Sequence, residues 1–391
     1  MSRKRTFVIP ALVLVIGGLV QVGRPLPPVQ IRLASNQLTL PGAFSVNFPD
    51  RGQVAIGEES LGPVAETPNE QPVAIASLTK MMTAYLLLQA QPLSVGDDGP
   101  VTTLTEADVA TYQQDVANHY SVAKVSAGER LTERQLLEAL LLPSADNIAA
   151  LIANQVAGSE AAFVQKMNQT AHALGMSQTT YADAAGVNPS TVSTAHDQIL
   201  IAQAVMKNRI FREIVRMPQA DLPVAGRVYN VDFMVGKQGI SGIKTGSTLE
   251  AGSCFVGSYP IMVDGNPRIV LGAILGQQSL QVALTQDAAL LHSVAPEFRD
   301  YQIPAPSDGF AQLTTPWKQQ SALKLSAPLQ VFGYPGMPIQ FAANLTQAKL
   351  PISASQKVAS LTVTAGNTPQ TLDLWSEQAI STPGIFWRLH R

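Results

Sequence analysis

Apolar and polar residues follow two different periods along this chain. Alternation with β-branched residues predicts strands at 30–49 and 52–58, and again at 242–244, 253–259 and 268–275. Between and after these blocks, apolar residues at helical spacing predict helices at 105–116, 132–142, 144–156, 159–174, 194–207 and 280–294. This order of elements predicts an α/β sandwich with a mainly antiparallel sheet and a helical subdomain.

The pattern changes at 303–309, where Pro, Ala, Ser, Asp and Gly indicate a linker. Beyond it, short alternating runs are separated by Pro and Gly, which is typical of a small β structure. These runs lie at 323–331, 339–341, 358–363 and 372–374. We therefore predict a main domain at 29–302 and a small C-terminal all-β accessory domain at 303–391, with the role of a spacer or support.

The N-terminus has the pattern of a membrane-targeting segment. Arg3, Lys4 and Arg5 precede the uncharged, mostly apolar stretch 6–23, and a stiff Pro-rich stretch follows at 24–28. The basic flank should stay in the cytoplasm and direct the rest of the chain outward. We expect residues 1–28 to form a signal anchor or signal peptide, and the absence of an A-x-A-like site favours an uncleaved anchor. The protein is then expected at the extracytoplasmic face of the membrane.

Composition removes several classes of function. A net charge of −2 and a charged fraction of 14% offer no basic surface for nucleic acid. The single cysteine, Cys254, rules out a disulfide framework. The chain has no H-E-x-x-H, G-x-x-x-x-G-K or G-x-S-x-G motif, and its five histidines are scattered. We therefore expect no metal and no cofactor.

A serine three residues before a lysine opens the most apolar helical run of the chain. Ser77 and Lys80 share one helix face at this spacing, and the apolar stretch 81–88 predicts that the helix is buried. A buried amine loses its proton more easily, so Lys80 could deprotonate the Ser77 hydroxyl. The same S-x-x-K spacing occurs at Ser121 and at Ser321, but neither opens a buried helix.

Two further stretches carry candidate chemistry. Ser144 stands before Asp146 at the start of a predicted apolar helix, and Lys244 stands in Lys-Thr-Gly on a predicted strand. Taken alone, Ser144 reads as a helix N-cap and Lys244 as an edge-strand lysine. Combined with Ser77, they form S-x-x-K, S-x-[N/D] and K-T-G in that order, the set found in serine β-lactamases and penicillin-binding proteins.

On these motifs the chain resembles the low-molecular-weight penicillin-binding proteins that act as serine-type D-alanyl-D-alanine carboxypeptidases. The resemblance spans 53–294 and, beyond the three motifs, includes the residue sequences at 127–132, 174–179, 183–186 and 193–197. It implies a penicillin-binding protein/β-lactamase-like sandwich, with 29–302 as the catalytic domain.

The resemblance implies a chemical role for each matched residue, beginning with acylation. Ser77 would attack the carbonyl of the D-Ala-D-Ala peptide bond, with Lys80 as general base. Ser144 would relay a proton to the leaving D-alanine. The backbone N–H groups of Ser77 and Ser247 would form the oxyanion hole.

Substrate binding falls to the remaining matched positions. Lys244 and Thr245 would hold the terminal carboxylate, and Gly246 would let the substrate backbone approach closely. Asp146 departs from the S-x-N form common in the family, because an ionised aspartate accepts hydrogen bonds but cannot donate them. A carboxylate there would favour the protonated form of Lys80, opposing the neutral state that a base requires. Asn147 is a competing candidate for the missing amide.

The implied partners are peptidoglycan stem peptides ending in D-Ala-D-Ala, with β-lactam antibiotics as covalent inhibitors. A D,D-transpeptidase shares the acylation step and differs in the acceptor. A catalytically silent peptidoglycan-binding or scaffold protein is the alternative outside enzymes. A β-lactamase with a deacylating glutamate is disfavoured because no E-x-x-L-N-like segment lies between Ser144 and Lys244.

Overall fold

The computed structural model describes residues 8–303, 310–346 and 348–391, with side chains from residue 16 onward. The predicted basic flank at 3–5 and residues 304–309 of the linker predicted at 303–309 lie outside the described residues, while Ile303 ends a strand. Within them, the helices are α1 (Val8–Gly23), α2 (Lys80–Ala90), α3 (Glu106–Ala117), α4 (Glu133–Leu141), α5 (Asp146–Ala157), α6 (Glu160–Ala173), α7 (Ala195–Met206), α8 (Arg209–Val215), α9 (Leu280–Val294) and α10 (Ile385–His390). Short 3-10 helices occupy Ala76–Thr79 and Ala295–Glu297.

The strands of the same residues are β1 (Gln30–Leu33), β2 (Gln37–Thr39), β3 (Gln53–Glu58), β4 (Gly62–Glu66), β5 (Val73–Ala74), β6 (Val101–Thr103), β7 (Arg130–Thr132), β8 (Val192–Ser193), β9 (Gln219–Leu222), β10 (Gly226–Tyr229), β11 (Ile243–Thr248), β12 (Gly252–Val263), β13 (Asn266–Gln277), β14 (Arg299–Ile303), β15 (Ala311–Thr314), β16 (Gln320–Leu325), β17 (Leu329–Gly333), β18 (Pro338–Leu345), β19 (Lys357–Ala365) and β20 (Thr368–Ser376).

The chain forms two units, of which one is Ala43–Arg299. Its centre is a five-stranded antiparallel sheet in the order β11-β12-β13-β3-β4. Helix α7 packs on one face of the sheet, where the missing side chain of Gly57 leaves room for Ile199. Helix α9 packs on the other face, where Gly257 and Gly272 leave room for the side chain of Asp287. The predicted α/β sandwich with an antiparallel sheet is thus confirmed.

Helix α2 is the buried helix that the sequence predicts. Eight of its eleven residues are buried, because an element that is apolar all round must be covered on every side. It packs against α4, α5 and α7 in the core of this unit. Ser77, however, belongs to the 3-10 helix Ala76–Thr79 that precedes α2, and not to α2 itself.

The other unit combines residues 1–42 with Asp300–Arg391. Its seven-stranded sheet has the order β1-β15-β16-β20-β19-β18-β2. Strand β1 pairs with β15 and β2 pairs with β18. Residues 29–42 therefore belong to this unit and not to the main domain, where they were predicted. Alternation of apolar and polar residues predicts a strand but does not predict which sheet the strand joins. Residues 40–49, predicted as strand, form none.

Helix α1 covers part of the predicted membrane-targeting segment and contacts α10 within the same unit. Gln21 Nε2 donates a hydrogen bond to the Arg391 carbonyl (2.7 Å). Among the described residues, the structure contains no helix with the length and apolarity needed to cross a bilayer.

Candidate active site

The turn that carries Ser77 is built by close backbone approaches. Ala76 has a φ of +49°, an uncommon conformation for a residue with a side chain. A Cβ atom on Gly186 would lie 1.8 Å from the Ala76 carbonyl oxygen, and one on Gly246 would lie 3.0 Å from the Ser77 nitrogen. The two glycines therefore let their segments close on the turn and hold Ser77 at the start of α2.

Lys80 is completely buried and directs its ammonium at three oxygen acceptors. Its Nζ lies 2.8 Å from Ser77 Oγ, 2.5 Å from Asp146 Oδ1 and 3.0 Å from the Ala185 carbonyl oxygen. An ammonium has three protons to donate, so these contacts use its full capacity. Lys80 is thereby fixed beside the Ser77 hydroxyl.

Ser144 and Lys244 form the second contact pair of the site. Lys244 Nζ donates to Ser144 Oγ (2.9 Å) and to the Thr245 carbonyl oxygen (3.0 Å). Ser144 has a φ of +64° and lies before Ala145, the N-cap of α5, so it is not itself the cap. Lys244 is 2% exposed, which excludes an ordinary solvated edge-strand lysine.

The surroundings of Lys244 disfavour its charged form. Burial lowers the pKa of Lys244 well below its usual value, and the positive charge of Lys80 lowers it further, whereas Asp146 and Asp232 act to raise it. An anionic ligand at this lysine would restore the balance of charge.

Asp146 bridges Lys80 and the loop after α3. Its Oδ2 accepts from the Ser121 N–H (3.0 Å), while its own N–H donates to the Ser121 carbonyl (2.7 Å). Asn147 directs its amide elsewhere: Oδ1 accepts from the Ala123 N–H (3.1 Å) and Nδ2 donates to the Ala123 carbonyl (3.0 Å). The side chain that meets Lys80 is therefore Asp146, and Asn147 holds the loop.

Strand β11 brings the other predicted site residues to the sheet edge, where it pairs with β12. Thr245 is buried, and Ser247 is exposed with its Oγ 3.1 Å from Ser253 Oγ. Gly246 was expected to make room for substrate backbone. In the structure, the space beside it is taken by the Ile75 carbonyl and the Ser77 nitrogen, so its lack of a side chain serves the approach of the Ser77 turn.

The sequence profile of peptidase family S11, described as D-alanyl-D-alanine carboxypeptidase, matches residues 54–274, more than half of the chain. The chain belongs to this family. D-alanyl-D-alanine carboxypeptidase DacB2 of Mycobacterium tuberculosis is 31% identical over 234 residues, covering 58% of this chain and 72% of that relative. The predicted carboxypeptidase family and its serine-peptidase class are confirmed.

Solved structures that are similar to this S11 peptidase include the following two. The D-alanyl-D-alanine carboxypeptidase DacD from Francisella tularensis superposes with a TM-score of 0.62 over 87% of this chain and 96% of that one, at 19% identity, which supports the fold alone. A mutant of the Streptomyces K15 DD-transpeptidase gives a TM-score of 0.55 over 62% of this chain and 97% of that one, at 25% identity. The predicted penicillin-binding-protein type of fold is confirmed.

The sequence did not identify the segment 183–186 of this S11 peptidase as part of the site. Besides Gly186, the Ala185 carbonyl accepts from Lys80 and the Ala184 carbonyl accepts from Thr83 Oγ1 (2.6 Å). Asp183 Oδ2 accepts from the N–H groups of Gly186 (2.8 Å) and Val187 (2.7 Å). The sequence Asp-Ala-Ala-Gly was the available signal, because it matches the family. It did not predict the contact with Lys80, because any residue type can supply a backbone carbonyl.

Proposed function

We propose that the chain removes the terminal D-alanine from peptidoglycan stem peptides through an acyl-enzyme on Ser77. The observation that supports this most is the 2.8 Å contact of Ser77 Oγ with the fully buried Lys80. A nucleophile needs a base within hydrogen-bond reach, and Lys80 meets that geometric requirement. Asp146, 2.5 Å from Lys80 Nζ, fixes the position of that nitrogen beside Ser77.

In the proposed acylation, Ser77 Oγ attacks the carbonyl carbon of the D-Ala-D-Ala bond while Lys80 takes the hydroxyl proton. The backbone N–H groups of Ser77 and Ser247 stabilise the negative charge that develops on the carbonyl oxygen. The C–N bond then breaks, Ser144 gives its hydroxyl proton to the nitrogen of the departing D-alanine, and Ser144 regains a proton from Lys80, the one that Lys80 took from Ser77. Water hydrolyses the ester in the second half of the reaction.

Lys244 is proposed to bind the free carboxylate of the terminal D-alanine, together with the Thr245 hydroxyl. Among the described residues, the buried Lys244 Nζ donates hydrogen bonds to two neutral oxygens, Ser144 Oγ and the Thr245 carbonyl. A carboxylate that approaches such a cation forms a charge-assisted hydrogen bond, which is stronger than a neutral one. The carboxylate of a β-lactam would bind Lys244 in the same way, so we expect covalent inhibition by these antibiotics.

A D,D-transpeptidase is the second candidate, supported by the similarity to the Streptomyces K15 DD-transpeptidase. It would form the same acyl-enzyme and pass the acyl group to an amine. A silent peptidoglycan-binding protein has less support, because Ser77, Lys80, Ser144 and Lys244 are all present and in contact as two pairs.

One assay tests the proposal against both alternatives. The full chain in detergent is incubated with a pentapeptide ending in D-Ala-D-Ala, with and without an added amine acceptor, and products are identified by mass. A carboxypeptidase releases D-alanine and the tetrapeptide in both samples, while Ser77→Ala releases neither. Acceptor-linked peptide as the main product would favour transpeptidation, and no turnover by wild type would favour the silent protein.

We further propose that the chain works at the extracytoplasmic face of the bacterial membrane, held there by its N-terminal segment. Helix α1 supports this, since Ile16, Leu19 and Val20 are each more than half exposed. An apolar helix surface of this kind is stabilised by lipid. Deleting residues 1–28 should move the protein from the membrane fraction to the soluble fraction, and unchanged sedimentation would contradict the anchor.

A further inference from the structure

A carboxylate outside the three motifs organises the loop that follows it in the chain. Asp183 Oδ2 accepts hydrogen bonds from three consecutive backbone N–H groups, those of Gly186 (2.8 Å), Val187 (2.7 Å) and Asn188 (3.3 Å). Its Oδ1 accepts from Thr191 Oγ1 (2.5 Å). Hydrogen bonds to an ionised carboxylate are stronger than those between neutral groups. The loop is therefore folded around the side chain of Asp183.

One of these hydrogen bonds ends on a peptide unit that also contacts Lys80. The peptide unit between Ala185 and Gly186 donates its N–H to Asp183 Oδ2 (2.8 Å). The carbonyl of the same unit accepts from Lys80 Nζ (3.0 Å). A trans peptide unit is planar, and its N–H and carbonyl point in opposite directions. By fixing the N–H, Asp183 therefore also fixes the direction of the carbonyl that meets Lys80.

The same loop is attached to α2 at a second point. The Ala184 carbonyl accepts from Thr83 Oγ1 (2.6 Å), and Thr83 follows Lys80 by three residues, so both side chains lie on one face of the helix. The Ala184 N–H donates to Glu160 Oε1 (3.2 Å) at the start of α6. These bonds fix the position of the loop along α2, beside Lys80.

The carbonyl matters because Lys80 Nζ has three acceptors and one of them is the nucleophile. The other two are Asp146 Oδ1 and the Ala185 carbonyl oxygen. Without the carbonyl, Asp146 alone would hold the nitrogen beside Ser77. A displacement of about 1 Å between reacting groups can slow a reaction about a hundredfold. The direction of the Ala185 carbonyl should therefore affect the rate at which Ser77 reacts.

We propose that Asp183 is a positioning residue that directs the Ala185 carbonyl at Lys80 and so keeps the Lys80 amine beside the Ser77 hydroxyl. This inference rests on the proposed function, because it assumes that Lys80 takes the proton of Ser77. Asp183 acts through the peptide unit between Ala185 and Gly186 and need not touch the substrate. Its loss should slow the chemical step and leave the noncovalent binding of the ligand unchanged.

The test is acylation by a penicillin, followed by intact mass on the full chain in detergent over a range of penicillin concentrations. This series separates the dissociation constant of the noncovalent complex from the rate constant of acylation. In Asp183→Ala, the rate constant should fall by about tenfold or more, because the lysine is less well placed. The dissociation constant should stay at the wild-type value.

A conservative variant separates the orienting role from a general loss of structure. Asp183→Asn keeps a side-chain oxygen that accepts from backbone N–H groups, so it should restore most of the rate constant lost in Asp183→Ala. If Asp183→Ala does not fold, Asp183→Glu is measured in its place. It keeps the charge but moves the acceptor by one methylene group, and it should also acylate more slowly than wild type.

Glu58→Ala is the matched control. Glu58 Oε2 also accepts from two backbone N–H groups and one hydroxyl of the turn that follows it, namely the N–H groups of Ser60 (2.7 Å) and Leu61 (3.1 Å) and Ser60 Oγ (2.6 Å). Its strand, β3, is separated from β11 by β13 and β12. Glu58→Ala loses the same kinds of bonds away from Lys80, so its rate constant of acylation should follow wild type.

The outcomes distinguish this inference from the proposed function. A wild-type rate constant in Asp183→Ala overturns the role of Asp183 and leaves Ser77 as nucleophile. An equal fall in Asp183→Ala and Glu58→Ala also overturns it, as does an Asp183→Asn variant no faster than Asp183→Ala, because both results report a general loss of structure. A wild-type chain that penicillin does not acylate overturns the proposed function and this inference together.

Discussion

Asp146 sets this chain apart from the S-x-N form at the scale of a single residue. Its carboxylate replaces an amide that could donate one hydrogen bond and accept another, and it forms an ion pair with Lys80 at 2.5 Å. The sequence alone left Asn147 as a substitute, because both residues follow Ser144. The structure directs the Asn147 amide to Ala123, a neighbour in space that sequence spacing does not show.

We predict that acylation by penicillin has a more alkaline midpoint in wild type than in Asp146→Asn. Asp146→Asn replaces the ion pair with Lys80 by a neutral hydrogen bond, so the two proteins should differ in the pH at which acylation is half-maximal. The measurement is the acylation rate against pH, with Asn147→Ala as a control whose midpoint should stay with wild type. Superimposed curves for wild type and Asp146→Asn, with a collapse in Asn147→Ala, would mean that the motif is placed on the wrong residue.

At the scale of elements, the sequence predicted helices best where apolar spacing and a cap agree. The helix predicted at 280–294 is α9 (Leu280–Val294), whose N-cap Ser279 accepts from the Val282 N–H. The helix predicted from 144 begins instead at Asp146, because Ser144 adopts a left-handed conformation. Strands β9 and β10, helix α8 and helix α10 were not predicted, since each has seven residues or fewer and too few positions to show a period.

The Ser77 turn depends on Gly186 in a way that can be measured. Gly186→Ala places a Cβ atom 1.8 Å from the Ala76 carbonyl oxygen at a φ of +86°, so the turn must move. A misplaced nucleophile should acylate about a hundredfold more slowly. Gly158→Ala is the control, because its φ of +76° imposes similar strain and nothing lies within 4 Å. Equal acylation by the two variants would contradict the role of Gly186 in holding the turn.

Helix α4 begins with a carboxylate that lowers stability at neutral pH. Glu133 is fully buried, and neither carboxylate oxygen has a hydrogen-bond partner among the described residues. Burial, together with the negative charge of Asp97, raises the pKa of Glu133 from 4.5 to about 7. The folded state thus favours the protonated acid, and the stability it contributes is present below pH 4.5 and is lost as pH rises to about 7.

Glu133→Gln should therefore be more stable than wild type at pH 8, on the order of 2 kcal/mol, and similar to it at pH 4.5. Urea unfolding at the two pH values measures the difference. Glu106→Gln is the matched control, since Glu106 is the first residue of α3 after a Thr cap, as Glu133 is in α4, but is exposed. A gain in Glu133→Gln that does not grow with pH would contradict the account.

At the scale of the whole molecule, the main sheet and its helices were predictable because each element has a clear period. The assignment of 29–42 was not, because the partners of β1 and β2 lie almost 300 residues away in sequence, in β15 and β18. The site shows the same division. The side chains predicted for the site were chosen by residue type and spacing, and the structure places Ser77 beside Lys80 and Ser144 beside Lys244. The Ala185 carbonyl that accepts from Lys80 was missed, because its contact depends on position in space.

The central claim is that Ser77 forms a covalent acyl-enzyme. Its test is the intact mass of the full chain after incubation with a penicillin, beside Ser77→Ala and beside Ser121→Ala, a serine at the same spacing from a lysine. Wild type and Ser121→Ala should each gain the mass of one penicillin, and Ser77→Ala should gain none. An adduct that persists in Ser77→Ala, or that never forms in wild type, would contradict the account.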